Sequence, residues 1–433
     1  MREVLSSVMM LAAVTFTACS NEEMGETETP KGLTLSASVE NLSTRSSMTD
    51  ESGTWKFAFE ANDKVSVSNE QINEPYTFQK VGEQFTCANA MATNEAADWY
   101  AYFPGNDVNL TGQDGTLNGV ANYLAAAGKT TQATTGKDGL AITLSAKVAV
   151  LRIVEADKEG ALDIQVKTAD GNKWVTGLTA QKNETKFDVK TSDTQTTLLS
   201  KENVKAGDFS YVVVPAGMGI QVYNGTVLIS QTTSGLTAGK YYTITSVPTQ
   251  GKSHATINDK DELVGWVQLW PGGPRFATKD VAETMTWTDA AKTGKDFAWG
   301  ENWRTSTAEE ITEVVKDSDG KTLFGGLLYD FHNSKAAEGS PSVKVEQKDV
   351  NNVEDDIVTF TGVYPGYTKT QLTLYNRRDQ LGYNNFEFWT TSGDNSKGYS
   401  FRIMTQNEVI GYFGISKFET KDTRYLVRPV LAK

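Results

Sequence analysis

Histidine and cysteine are scarce in this 433-residue chain, which holds two of each. A Ser-His-Asp site would have to recruit His254 or His332, which stand far apart in polar surroundings. No His/Cys cluster has zinc spacing, and no cysteine falls beyond Cys87. A phosphate-cradling glycine loop is missing too, so the chain carries no nucleotide signature. Basic charge is in deficit: 41 Lys and Arg against 54 Asp and Glu give a formal net charge of −13. Nucleic acid needs a basic face, so that partner class is excluded. The apolar run from Val4 to Ala18 is also shorter than the about 20 residues needed to span a bilayer. These gaps lead to the expectation of a protein that is not an enzyme and holds no cofactor or metal.

What is abundant points to strands. Thirty-seven glycines, with frequent threonine and serine, favour strands and turns over helices. At 39% hydrophobic and 10% aromatic residues, the chain can bury several cores, and its length predicts two or three domains. Leu33 to Val39 alternates apolar and polar with period two, as a half-buried strand does. Trp55 to Phe59, Val65 to Ser68, Trp99 to Pro104 and Lys147 to Ile153 repeat the signal. Tyr211 to Pro215 is nearly all apolar, which predicts a central strand ending at proline. Ile220 to Ile229 reads as a hairpin around Asn224-Gly225, a dipeptide suited to a type I′ turn. Leu236 to Ile244 supplies a last strand, and residues 249–253 read as a linker. Short strands between turns indicate sandwiches and not βαβ units.

The amino-terminal segment has signal-peptide length, with small residues just before Cys19. Phe16-Thr17-Ala18-Cys19 resembles a bacterial lipoprotein box, and Ser20-Asn21-Glu22-Glu23 is similar to the acidic surface-export signal of Bacteroidetes lipoproteins. The resemblance implies a signal peptide at 1–18, lipidation at Cys19, and an outer-membrane, surface-exposed protein. Residues 19–32 then form an acidic tether with little to bury. Lipid on Cys19 leaves Cys87 alone; a lone thiol in an alternating segment reads as a small buried hydrophobe.

Several of these segments, in this order and spacing, resemble the fimbrillin family of Bacteroidetes surface pili. The carriers are the strand at 33–39, Thr44-Arg45, Trp55 with Ala61-Asn62-Asp63-Lys64-Val65, and Tyr100-Ala101-Tyr102-Phe103-Pro104. The strand at 147–153, Tyr211 to Pro215 and Leu236 to Tyr242 also fit. The resemblance implies two transthyretin-like β-sandwich lobes, at 33–153 and 154–248. It also implies assembly by β-strand addition between subunits, with proteolytic processing at Arg45.

Beyond residue 253 the composition changes: six of the nine tryptophans lie in 254–433. Thr286 or Thr288 starts a helix with Trp287, Ala290 and Ala291 on one face. Thr307-Ala308-Glu309-Glu310 is a capping box, with Ile311, Val314 and Val315 behind it. Two early helices and a strand-rich tail describe an α+β domain. Gly265-Trp266-Val267, Thr286 to Ala290, Trp303-Arg304, Phe388 to Ser392 and Val427 to Val430 resemble tryptophan-rich modules similar to the C-type-lectin fold. The calcium-chelating Glu-Pro-Asn and Trp-Asn-Asp triplets of sugar-binding members are missing. The expected fold is thus mainly β: two sandwich lobes plus a carboxy-terminal α+β lectin-like domain.

Within that domain, Trp270 in a Gly/Pro-rich loop and Tyr364 and Tyr367 around Pro365-Gly366 are the candidate ligand contacts, since loop aromatics give area at low entropic cost. Trp266, Trp287, Trp303 and Trp389 are expected in the core. Glu309 and Glu310 suit a helix start better than paired-carboxylate hydrolysis, and Glu354-Asp355-Asp356 reads as a solvated loop rather than a calcium site. The functional expectation is adhesion: a fimbrial tip or accessory subunit meeting a host glycoprotein or glycan. The alternative is a surface glycan-binding accessory protein of a polysaccharide uptake system.

Overall fold

The computed structural model describes residues 33–39, 59–90, 97–132, 139–157, 159–281, 283–311, 322–324, 327–329, 342–347, 356–364, 367–376, 384–406 and 409–432. Cys19, Arg45, Trp55, His332, Glu354 and Asp355 lie outside them.

Eight strands come first: β1 (Thr34–Val39), β2 (Lys64–Ser68), β3 (Tyr76–Val81), β4 (Gln84–Thr86), β5 (Ala97–Phe103), β6 (Asp107–Asn109), β7 (Ala126–Gln132) and β8 (Gly139–Ala146). All but β6 close a barrel in the order β1-β4-β3-β2-β5-β7-β8. The alternation of apolar side chains drives closure, because Leu35, Val65, Val67, Phe78, Trp99 and Ile142 all turn inward and are buried. β1 completes the ring, antiparallel to β4 and parallel to β8, with Leu35 opposite both Phe85 and Leu140. β7 and β8 approach so closely at Gly128 that a Cβ there would lie 2.1 Å from the Thr143 carbonyl oxygen. Only glycine fits that position.

The next nine strands build two further sheets: β9 (Val148–Val154), β10 (Glu159–Thr168), β11 (Trp174–Ala180), β12 (Phe187–Ser192), β13 (Thr197–Lys205), β14 (Phe209–Pro215), β15 (Ile220–Asn224), β16 (Val227–Thr232) and β17 (Tyr241–Thr245). One sheet has the order β14-β9-β17; the other is β12-β11-β10-β15-β16, with β13 pairing β10 and β6 pairing β11. Two expectations change here. The strand expected to close the first lobe, β9, is the centre of the small second sheet, while β6 crosses over to join the large one. Buried residues from Leu33 to Leu236 accordingly form one apolar cluster, so barrel and sandwich share a core. The hairpin at 220–232 is present, but its loop is Gly225-Thr226. Gly225 has a φ of +58° and Thr226 is not left-handed, whereas a type I′ turn needs both residues there.

β14 is apolar from Tyr211 to Pro215, yet it is an edge strand and not a central one. Its outer backbone groups are covered by the loop at 113–115. Gln113, buried among apolar side chains, donates through Nε2 to the Val213 and Leu110 carbonyls at 2.9 Å each. Its Oε1 accepts the Val213 N–H at 2.7 Å, and Tyr211 N–H donates to the Gly115 carbonyl at 3.0 Å. A side-chain amide thus takes the place of a neighbouring strand and shields an edge that would otherwise pair with other chains.

The remaining chain has its own apolar cluster, built on Val264, Met285, Phe297, Trp299, Trp303 and Trp389. Its first sheet runs β18 (Gln250–Ile257), β19 (Lys260–Gln268), β20 (Arg275–Ala277), then Pro429–Leu431 and Trp303–Thr305, so the last strand returns beside the early ones. Residues 250–253, expected as linker, are already strand: Gln250 pairs with Val267. Two three-stranded antiparallel sheets follow, 342–376 and 384–420. The first expected helix is a single turn, Trp287–Ala290, and the described part of the second is Ala308–Ile311, with Val314 and Val315 outside the described residues. Each start is as the sequence suggests. Thr286 Oγ1 accepts the Asp289 N–H at 3.3 Å, and Thr307 and Glu310 cap reciprocally at 3.0 and 2.9 Å. Mainly β is the class found.

Candidate functional site

Trp270 is not an exposed platform. It is only 8% exposed, and its ring lies against Gly273 and, at 6.0 Å between centroids, Phe276. The loop sits where the shared core meets the carboxy-terminal module. Gly272 N–H donates to the Ala156 carbonyl at 2.7 Å, and Gln268 Nε2 donates to the Ala156 and Gly273 carbonyls at 3.0 Å each. Arg275 adds an ion pair to Asp157 at 3.2 Å. A Gly/Pro-rich loop usually lies on the surface; this one is covered because a second unit packs on it.

Tyr364 and Tyr367 are brought together as register partners at the end of the hairpin formed by Asp356–Tyr364 and Tyr367–Asn376. Cys87 is half-buried against the barrel core. Trp303 and Trp389 are fully buried, whereas Trp266 and Trp287 are only partly so. Glu309 is exposed, and Glu310 is engaged: its carboxylate receives both Arg304 Nη1 at 2.8 Å and Nη2 at 2.5 Å besides capping the helix turn. Among the described residues no group of His, Cys, Asp and Glu is arranged to hold a metal ion.

A buried carboxyl marks the same junction. Glu155 is 1% exposed; its Oε1 accepts the Ser246 hydroxyl at 2.7 Å and the Asp157 N–H at 2.8 Å, while Oε2 has no partner among the described residues. Burial pushes this carboxyl above the usual carboxylate range, Asp157 adds to the shift, and the two hydrogen bonds oppose it. The folded state therefore holds its proton more tightly than the unfolded chain. Its contribution is fully present below the unfolded value and lost as pH rises through the folded one. Glu155→Gln is expected to melt above wild type at pH 8 in calorimetry, with the gap closing towards about pH 4. A gap that instead widens on acidification would show that the carboxylate is welcome in its site.

Sequence reasoning missed a polar cleft in the module. It opens between the β18–β19 hairpin and the loop at 294–302, has a volume of about 310 Å³, and is lined by His254, Asp261, Lys295, Trp299, Glu301 and Asn302 among others. His254 Nδ1 lies 2.8 Å from the Asp261 carboxylate, with side chains 63% and 68% exposed. The opposite wall is fixed to the hairpin backbone: Thr256 N–H donates to the Trp299 carbonyl at 3.0 Å, and Trp303 Nε1 to the His254 carbonyl at 2.8 Å. His254 seemed isolated in sequence, and the loop residues carry no motif. Only the return of the loop onto β18 unites them.

No family model and no curated protein matches the chain. Among solved structures it is similar to a proposed cell adhesion protein of Bacteroides uniformis, at 15% identity and a TM-score of 0.31, over 56% of this chain and 99% of that one. It is similar to a proposed adhesin of Bacteroides thetaiotaomicron at 14% identity and a TM-score of 0.24, over 47% of this chain and 80% of the other. The likeness to a fimbrial protein of Bacteroides ovatus, at 10% identity and a TM-score of 0.24, spans 94% of this chain and all of that one (100%). At TM-scores below 0.5 these likenesses fix no function, and the reading that follows rests on the chain's own residues.

Proposed function

We propose that this chain is a non-enzymatic cell-surface adhesion protein, held at the outer membrane by lipid on Cys19 and presenting residues 254–433 as a binding module. In its sharper form it is a tip or accessory subunit of a fimbrium. The observation that carries this reading is the closing strand of the barrel. β1 is six residues long, both its neighbours are distant in sequence, and Thr44-Arg45 follows shortly after it. Cleavage at Arg45 and departure of β1 frees the facing edges of β4 and β8. It also vacates the apolar places of Leu33 and Leu35. Such a slot accepts a strand from another subunit by β-strand addition.

Mass spectrometry of the surface-extracted protein tests the fimbrial form, together with gold labelling of fibres. The expected mature chain starts at Ser46 when it is in fibres. A chain that still begins at lipidated Cys19 and never labels fibres overturns it. The polar cleft favours a second reading, a glycan-binding accessory protein of a polysaccharide uptake system.

A further inference from the structure

We infer that the cleft between the β18–β19 hairpin and the 294–302 loop is a saccharide site that takes an uncharged sugar unit. This deepens the proposed binding role of residues 254–433 and rests on it. Size sets the first limit. At about 310 Å³ the cleft stands at the low end of small-molecule sites, which run to about 1,000 Å³. A folded peptide does not fit inside; a single sugar unit does.

Chemistry sets the second limit. The lining offers acceptors on Asp261 and Glu301 and donors on Lys295, Asn302 and His254, beside the largely buried Trp299. A sugar hydroxyl donates and accepts at once, so a ring bearing several of them satisfies both kinds of wall group. Two carboxylates, Asp261 and Glu301, accompany one lysine, Lys295, and His254 is already set against Asp261 at 2.8 Å. The cleft thus has no excess of positive charge with which to draw a sulfated or phosphorylated chain. Apolar ligands are disfavoured because they would strand these polar groups without partners.

Rigidity is the third element. Asn302 Nδ2 and Trp303 Nε1 both donate to the His254 carbonyl, at 3.2 and 2.8 Å, and Ala432 N–H holds the Asn302 carbonyl at 2.9 Å. Gly300 turns the loop at a φ of +80°, which glycine adopts without strain. The backbone of both walls is set before a ligand arrives, so the ordering cost of binding falls on the exposed side chains.

The test uses the full chain on a panel of immobilised neutral, sialylated and sulfated oligosaccharides, followed by titration with the strongest binder. Neutral sugars are expected to bind. Asp261→Ala and Glu301→Ala should each weaken binding at least about tenfold with an unchanged melting curve, while Lys173→Ala on the sandwich should leave it intact. Wild-type strength in both cleft variants, preference for sulfated chains, or no binding to any panel member overturns the inference. Whole-cell adherence separates this from the parent reading. If neither wild type nor the cleft variants bind any sugar while all of them adhere to cells, the saccharide site is wrong and adhesion stands. If wild type binds sugar but adheres to no cell, adhesion is wrong and the site stands.

Discussion

Trp303→Ala should remove about 3–5 kcal/mol from the carboxy-terminal module, the cost of emptying a fully buried tryptophan site. Trp303 is 0% exposed, meets Trp299 edge-on at 5.5 Å between centroids, and donates through Nε1 to the His254 carbonyl at 2.8 Å. It also opens the strand Trp303–Thr305 that pairs with the chain's last strand. Alanine therefore loses packing, a buried hydrogen bond and the brace behind the cleft together. Because the module's apolar cluster is separate from that of the barrel and sandwich, calorimetry should show one transition falling by about 10 °C and the other little changed. Trp303→Phe keeps most of the buried area and should lose only about 1 kcal/mol for the hydrogen bond. Equal losses for the two variants would show that packing is not what holds this site.

Gln113→Leu should be nearly as damaging to the other half of the molecule, at about 3 kcal/mol, although the two side chains have similar volume. Leucine leaves the Val213 N–H and carbonyl buried without partners, and each such group costs about 1–3 kcal/mol. The edge of β14 would then be open, so dimers or larger species are expected by size exclusion alongside the lower melting point. Thr111→Ala, in the same connection but with only local contacts to Asn109, should stay within about 0.5 kcal/mol of wild type. A Gln113→Leu protein that melts with wild type and stays monomeric would mean that the edge is protected by something other than this amide.

These two residues show how far local pattern reaches. Trp303 was expected in the core from its place among the module's tryptophans, and it is there. Gln113 sits in Gly112-Gln113-Asp114-Gly115, which has the composition of an ordinary turn. Nothing in that tetrapeptide announces that its amide covers the edge of a strand a hundred residues away. Trp270 gives the opposite lesson, since a Gly/Pro-rich loop reads as surface until another unit packs on it. His254 reads as an isolated polar residue in a strand, and becomes part of a cleft only because Asn302 and Trp303 return to its backbone carbonyl.

Period-two alternation in β1 and β2, the apolar run of β14, and the Thr307 to Glu310 capping box act over a few residues, so the amino-acid order by itself fixed the strand-rich class, the positions of strands such as β1, β2, β5 and β14, and the helix starts. Which strands become neighbours depends on burial summed over the whole chain. The parallel seating of β1 on β8, the transfer of β6 to the second sheet, the central place of β9 and the assembly of the polar cleft were therefore decided by tertiary packing alone.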